Sequence, residues 1–376
     1  MLEFLTLHPD AFGLDISDFS LKIAYLKKKQ KGFHLASFGG GELEQGIIEG
    51  GEIQKEEQLQ AAIQKTLKQL KGRKIHTKYV VAALPEEKAF VQVIQLPRMK
   101  KEELMSTIRF QAESFIPYPI DTVYLDFAVI TPFHDHIDHL DVLVASLPRQ
   151  VVDSYVSVLE KAGLVPAVLE IDAIALCRAV VKKGVSPIPL LVVDIGQRRS
   201  KVSIFSGYSV RFTTSLSVSA RDFTAAIAKS LHVDEEKAEE FKHQYGLYAP
   251  EDALGQEVFQ AMIPVATDFI EQIAKYLEYY ETHLPHQHLL QPQKKIERIM
   301  LCGGGANLKG FPEFLTRALK VQVAVGNPWV NILSPQIKEL PPLSLQESLG
   351  YSTALGLALR GAQVKELYDQ SFAAPI

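Results

Sequence analysis

Two aspartates define the chemistry open to this chain. Asp15 and Asp194 each end a short apolar run, and each is followed by an isoleucine and a small residue. At the same distance beyond each aspartate stands a lysine, Lys22 or Lys201, followed by Ile or Val. An apolar run, a polar turn and an alternating return strand read as a β-hairpin whose tip meets a polar ligand. A carboxylate at the end of a buried strand suits a Mg2+ held through water near phosphates, because Mg2+ prefers oxygen and keeps several waters. One such aspartate alone reads as a turn or cap residue. Two in matching positions make Asp15 and Asp194 the metal-side pair of two homologous lobes facing one cleft.

A second constellation is Gly303-Gly304-Gly305, followed by Ala306 and Asn307, after the apolar run Ile296 to Cys302. Glycines between a strand and a helix let backbone approach a flat or anionic ligand with no Cβ in the way. Glu239 and Lys242 sit one helical turn apart, so they face one ligand or pair with each other. His134, Asp135, His136, Asp138, His139 and Asp141 resemble a metal cluster, but their place between two strands reads as an exposed hairpin loop. His283, His286 and His288 lie in a Pro-containing loop and read the same way. No Ser/His/Asp, Cys/His or zinc arrangement supports hydrolase chemistry of those kinds.

The elements that position these residues follow from periodicity. The chain of 376 residues is long enough for two or more domains, and 47% apolar and 22% charged residues are ordinary for a globular protein. A net charge of −4 gives no case for nucleic acid as the main partner. Cys177 and Cys302 both lie in apolar runs, which fits a reducing cytoplasm. The acidic residues Glu3 and Asp10 argue against a signal peptide, and no run approaches the ~18 apolar residues of a membrane span. After the first hairpin come a strand at 32–38 ending in three glycines, an amphipathic helix through Leu59, Ile63, Leu67 and Leu70, and a buried strand at Tyr79 to Leu84. Phe90 to Ala162 reads as a β-α-β-β-α module inserted in the first lobe. Beyond the second hairpin, helices are expected at 222–231, 234–245, 261–283 and 311–319, with a last small-residue helix at 343–359 and a frayed tail.

With the hairpins and the glycine run in place, the chain resembles the actin-like ATPase superfamily, a two-lobed, ribonuclease H-like α/β fold. The block LPRMKKEELMSTIRFQAESFIPYPIDTVYLDFAVI, Leu96 to Ile130, is similar to the PilM family of type IV pilus assembly proteins, relatives of the division protein FtsA. So are LVASLPRQVVDSYVSVLEKAGLVPAVLEIDAIALCRA, AIAKSLHVDEEKAEEFKHQYG, MLCGGGANLKGFPEFL and LGLALR, in that order along nearly the whole chain. The resemblance implies ATP and Mg2+ in the cleft. Asp15, Ser17, Ser20 and Lys22 match the first phosphate loop, and Asp194, Gly196 and Ser200 the second. Gly303, Gly304, Gly305 and Asn307 match the adenosine loop, and Glu239 and Lys242 the adenine- and ribose-side helix. It also implies an FtsA-type layout: first lobe 1–87 and 165–186, inserted module 88–164, second lobe 187–220 and 296–361, helical subdomain 221–295 and a tail from 362. The implied partner is the short cytoplasmic N-terminal peptide of the membrane protein PilN, docked on the inserted module. Membrane association is then indirect, and other pilus platform proteins and self-association are further expectations.

The phosphate loops depart from the family pattern. The first reads Ser17-Asp18-Phe19-Ser20 and the second Gln197-Arg198-Arg199-Ser200, where small or hydroxyl residues are usual, and Ser219-Ala220 replaces a glycine pair. An acidic Asp18 beside a polyphosphate is unfavourable unless a cation offsets it. Side chains where backbone approaches ligand favour holding a nucleotide over turning it over, so at most slow ATPase activity is expected. A nucleotide-free scaffold on the same fold is the alternative, with Arg198 and Arg199 reaching Asp15 or Asp18 as its signature. A sugar or acyl kinase ranks a distant third, since the inserted module does not resemble theirs.

Overall fold

The computed structural model describes residues 10–29, 32–130, 138–248, 252–283, 295–334 and 340–371. The first lobe begins with strands β1 (Phe12–Ile16), β2 (Ser20–Lys28) and β3 (Phe33–Glu42), a short hairpin β4 (Ile48–Glu49) and β5 (Glu52–Ile53), helix α1 (Glu56–Lys68), and strands β6 (Lys71–Gly72) and β7 (Tyr79–Leu84). β1 is antiparallel to β2 and parallel to β7, and Asp15 lies directly opposite Lys22 across the hairpin. The shared spacing of aspartate and lysine is therefore a cross-strand register. The glycines expected to end β3 lie inside it: a Cβ at Gly39 would sit 2.8 Å from Leu70, and one at Gly41 2.6 Å from Thr66. The end of α1 occupies the space side chains would need.

The chain then leaves the first sheet for strand β8 (Phe90–Pro97), helix α2 (Lys101–Ala112), and strands β9 (Val123–Val129) and β10 (His139–Pro148). These strands form a sheet in the order β8-β10-β9, with Leu104 and Ile108 of α2 packed against Ile94, Leu96, Val142 and Val144. Helix α3 (Arg149–Lys161), read from sequence as the end of this module, buries Val151, Val152, Tyr155, Val158 and Leu159 in the first lobe's core with Leu59 and Ile63 of α1. The apolar stripe recurs every three or four residues, as a helix with one core-facing side requires. Strand β11 (Val165–Ile171) completes the six-stranded sheet β11-β7-β1-β2-β3-β6, and helix α4 (Asp172–Val180) leads out of it.

The second lobe repeats the plan with strands β12 (Ser186–Ile195), β13 (Ser200–Gly207) and β14 (Ser209–Leu216), then helices α5 (Ala220–Leu231), α6 (Glu235–Tyr245) and α7 (Ala253–His283), strand β15 (Arg298–Cys302), helix α8 (Phe311–Leu319) and strand β16 (Gln322–Val325). Its sheet order, β14-β13-β12-β15-β16, mirrors β3-β2-β1-β7-β11 of the first, with the same change from antiparallel to parallel pairing. Asp194 faces Lys201 as Asp15 faces Lys22. The N-cap of α6 is Asp234, which accepts a 2.8 Å hydrogen bond from the Lys237 N–H, as a helix start requires. Helix α7 starts earlier than its apolar stripe suggested and carries Pro264 within it.

The final small-residue helix is two pieces, α9 (Leu345–Leu349) and α10 (Ser352–Ser371), separated at Gly350 and Tyr351. α10 continues to Ser371 instead of fraying near Leu359, and it packs on the first sheet through Ala354, Leu355 and Ala358 against Ala24 and Leu26. It also crosses α4 so closely that a Cβ at Gly356 would lie 1.8 Å from the Ala175 carbonyl oxygen. Glu170 pins this crossing by binding both Arg178 and Arg360. Burial works against its charge, and the two guanidinium groups outweigh it, holding its pKa below the ordinary carboxylate value.

Candidate functional site: a two-chambered cleft between the lobes

Both hairpin tips open into one inner chamber of about 500 Å³, lined by Asp15, Lys22, Asp172, Asp194, Lys201 and Glu87 among others. Asp15 and Asp194 reach it because each is the last inner residue of a buried strand. Burial in the cleft raises the Asp15 pKa to about 6, with Lys22 opposing the shift and Asp172 adding to it. Burial likewise raises Asp194 and Asp172 above the ordinary carboxylate range. Lys201 is ion-paired to Asp172; burial disfavours its charge, but Asp172 and Glu87 outweigh that and hold it well above the usual lysine pKa. A chamber of this kind, with carboxylates crowded around two lysines, is one where a divalent cation relieves the penalty on the ionised acids.

The first loop is shaped by its own side chains. Ser17 Oγ donates 3.1 Å to the Ser20 carbonyl and accepts 3.1 Å from the Ser20 N–H, a local serine turn. Asp18, which also lines the chamber, accepts 3.0 Å hydrogen bonds from the N–H groups of Gly50 and Gly51. Its charge is thus taken up by the β4–β5 turn, which answers the objection an acidic residue raised in this loop.

An outer chamber of about 950 Å³ lies beside α5 and α6 and shares Glu42, Gln197, Arg198 and Gly304 with the inner one. Here Glu239 Oε2 accepts from Lys242 Nζ at 2.7 Å and from Thr224 Oγ1 at 2.5 Å. Lys242, buried, also donates to Thr224 Oγ1 at 2.8 Å and to the Ala220 carbonyl at 3.2 Å. Burial raises the Glu239 pKa, but hydrogen bonds from Lys242 and Thr224 outweigh it and leave the carboxylate below its ordinary value. The two residues read as either ligand-facing or mutually paired do both: they pair, and they line the chamber.

Gly303 and Gly304 play different parts at the waist. Gly303 has φ 78°, and a Cβ there would meet Asp194 Oδ1 at 2.4 Å, so no other residue fits. A Cβ at Gly304 would meet nothing within 4 Å. Gly304 therefore leaves open the passage between the chambers, while Gly303 allows β15 to lie against the end of β12.

The second loop reaches across to the first lobe. The Arg198 guanidinium stacks 4.1 Å from the Phe19 ring centroid and lies 3.5 Å from Gln45 Oε1. Arg199 is 3.2 Å from Glu87 Oε1 and 3.6 Å from Asp18 Oδ2. Of the anticipated arginine contacts, the one to Asp18 is formed; for Asp15, the charged neighbours are lysines and aspartates.

The structure brings Asp15, Ser17, Ser20, Lys22, Asp194, Gly196, Gly303 and Gly304 to the inner chamber, and Glu239, Lys242, Gly304 and Gly305 to the outer. Two expected residues lie elsewhere. Ser200 is wholly buried in β13 with its Oγ unpartnered, and the Asn307 side chain donates 3.0 Å to the Gln346 carbonyl outside both chambers. Of the histidine clusters, His134, Asp135, His136, His286 and His288 lie outside the described residues. His139 is held by Asp138 and Gln95, and Asp141 by Arg211. Among the described residues no group of metal-ligating side chains stands together as a ready cation site. Sequence reading missed Asp172 and Glu87 in the inner chamber, and the buried Glu86 beside them. Asp172 comes directly after β11, of which only the last two residues are buried, and Glu87 comes beyond Pro85 after the buried β7, whereas Asp15 and Asp194 lie within their strands.

The family model of the type IV pilus assembly protein PilM matches residues 13–362. A solved PilM–PilN type IV pilus biogenesis complex has a chain 29% identical to this one, with a TM-score of 0.76, covering 95% of this chain and 99% of that one. MreB5 of Spiroplasma citri bound to AMPPNP shares the fold, with a TM-score of 0.55 at 12% identity over 96% of this chain and 98% of that one. The cell division protein FtsA of Streptococcus pneumoniae is 26% identical over 226 residues, 57% of this chain and 49% of FtsA, so the chain spans about half the length of that curated relative. With matched hairpins in two lobes, an inserted α+β module and a family match over nearly its full length, the chain belongs to the type IV pilus assembly protein PilM family and has the two-lobed actin-like fold.

Proposed function

We propose that this pilus assembly protein binds ATP with Mg2+ between its lobes and docks the cytoplasmic N-terminal segment of a PilN-like partner on its inserted module. The observation carrying the first half is the two-part cleft. A polar chamber with acids and lysines joins, at a glycine without a neighbour, a second chamber walled by Glu239 and Lys242. The residues present fit the ligand: Asp15 and Asp194 would hold Mg2+ through water, Lys22 and the Gly196 turn would face phosphates, and Thr224, Glu239, Lys242 and Gly305 the nucleoside. Bound Mg2+ supplies charge neutralisation at the phosphates. Lys201 stays charged against Asp172 and fixes that carboxylate at the chamber wall, while Asp18 remains engaged by backbone N–H groups. With side chains in both phosphate loops, any hydrolysis is slow, and the lobe arrangement is the output.

For the partner, the supporting features are the edge of β9, which among the described residues pairs only with β10, and the groove of about 340 Å³ at its end, lined by Ala128, Val129, Ile130, Phe205, Tyr208 and Val210 among others. An extended peptide adds to such an edge through main-chain hydrogen bonds and seats alternate side chains in the groove. Among the described residues no helix is long and apolar enough to cross a membrane. Position at the inner membrane is then proposed to come through the partner. Helix α2 leaves Met105 and Phe110 exposed at 53% and 77%, a surface proposed for a further platform protein or a second copy. The division read from sequence, with a module at 88–164, is kept as the proposed domain plan, with α3 and α10 as the segments returned to the first sheet.

Calorimetric titration tests each half separately. Heat and a thermal shift on adding Mg-ATP support the nucleotide half, and their absence refutes it; the PilN-like peptide does the same for the partner half. The contact of Arg199 with Asp18 favours a second reading, a nucleotide-free scaffold closed by its own arginines. That reading predicts no response to Mg-ATP and full affinity for the peptide.

A further inference from the structure

Arg199 is placed to exchange partners. It belongs to the second lobe, and its two ionic partners, Glu87 and Asp18, belong to the first. The distances of 3.2 and 3.6 Å and a side chain 37% exposed describe a weak, partly hydrated pair. Neither partner depends on it alone. Asp18 keeps its two 3.0 Å hydrogen bonds from Gly50 and Gly51, and Glu87 keeps Lys201 at 3.9 Å. The backbone that carries the arginine is already fixed: the Gly196 N–H donates 3.0 Å to the Arg199 carbonyl, closing the turn at the tip of the hairpin. The side chain can therefore leave Asp18 with its backbone hydrogen bonds in place and leave Glu87 beside the Lys201 ammonium, without moving the loop. Lys201, by contrast, is committed to Asp172.

We propose that Arg199 reads the terminal phosphate of a nucleoside triphosphate in the inner chamber. With the cleft empty of ligand it tethers the lobes through Glu87 and Asp18; with a triphosphate present it transfers to the phosphate oxygens. A planar guanidinium binding phosphate by two parallel N–H donors outcompetes a single, longer contact to a carboxylate that is already hydrogen-bonded. The same side chain thus closes the cleft in both states, and the ligand changes what it closes on. This rests on the proposal that the cleft takes a nucleotide, and it adds which part of the nucleotide is recognised: a diphosphate leaves Arg199 on Glu87.

The test uses the full chain with spin labels on Glu57→Cys in the first lobe and Lys229→Cys in the second, both exposed, while Cys177 and Cys302 are buried. Without nucleotide, Arg199→Ala is expected to broaden the inter-lobe distance distribution toward longer values. In equilibrium binding, the parent is expected to prefer Mg-ATP over Mg-ADP by about tenfold or more, and Arg199→Ala to reduce that preference to about twofold or less. Glu87→Gln, which removes the competing partner, is expected to tighten Mg-ATP by about fivefold. Arg199→Lys, keeping charge but not the fork, is expected to restore the ligand-free distances and not the preference. An unchanged distance distribution in Arg199→Ala overturns the tether, whatever the nucleotide does. An unchanged ATP-to-ADP ratio, or tighter ATP binding in Arg199→Ala, overturns the reading of phosphate. If the parent binds neither nucleotide, the nucleotide half of the proposed function fails and the exchange with it, and the distance measurement still reports on the tether.

Discussion

Neighbouring glycines at the waist of the cleft carry opposite constraints. Gly303 is held at φ 78° with Asp194 against it, whereas Gly304 faces open space. Gly303→Ala is therefore expected to lower stability by about 1–3 kcal/mol, since both the backbone and the Asp194 contact must give. Gly304→Val is expected to leave stability within about 0.5 kcal/mol and to weaken Mg-ATP by about tenfold or more, because its side chain fills the passage. Thermal melts with calorimetric titration of both variants check the pair; equal losses of stability would contradict the assignment. Glu86 gives a pH dependence. Burial beside Asp172 raises its pKa to about 8, and one carboxylate oxygen has no partner while the other accepts 3.2 Å from Ser215. The folded protein holds this proton more tightly than the unfolded chain, so the group's stabilising contribution is complete below the ordinary glutamate pKa. It is lost as pH rises through about 8. Glu86→Gln removes that loss. Its melting temperature relative to the parent is expected to rise by about 3 °C or more between pH 5 and pH 8; a constant difference would contradict it.

At the scale of elements, a buried ion pair is one link between the inserted module and the second lobe. Arg211 of β14 donates 2.6 Å to Asp141 of β10 and 3.2 Å to the Ser206 carbonyl, and both charged side chains are at most 9% exposed. Removing one partner strands the other, so Asp141→Ala and Arg211→Ala are each expected to cost about 3–5 kcal/mol. The double replacement Arg211→Met with Asp141→Leu is expected to cost less than either. Denaturant melts of the three variants check this, and a double variant as unstable as the sum would contradict it. The sequence carried much of this level. The spacing from Asp15 to Lys22 and from Asp194 to Lys201 marked both hairpins, and α8 lies where its periodicity placed it. What it did not carry depends on contacts far along the chain. Gly39 and Gly41 look like the end of a strand until α1 is known to lie on them. Helix α10 belongs to the first sheet because Gly13 of β1 lets the backbone of Ala354 and Ala358 come close. Asp172, Glu86 and Glu87 lie beyond the ends of their strands instead of within them as Asp15 does, and no repeated pattern distinguished them.

Among the described residues, the molecule is a pair of matched sheets with a cleft between them and a module set to the side. The family match and the shared fold bear out the resemblance read from the motif blocks. Ionic contacts cross the cleft from the second lobe at Arg199 and Lys201, and Arg211 ties the same lobe to the module that carries the proposed peptide groove. A ligand that changes the contacts of the second loop would therefore act on a lobe physically joined to the proposed docking module, and differential contacts in the two states would couple the two proposed sites. The most direct measurement is the dissociation constant of a PilN-like N-terminal peptide, taken by calorimetry on the full chain with and without saturating Mg-ATP. The account predicts a change of about fivefold or more between the two conditions. Identical constants in both would contradict it.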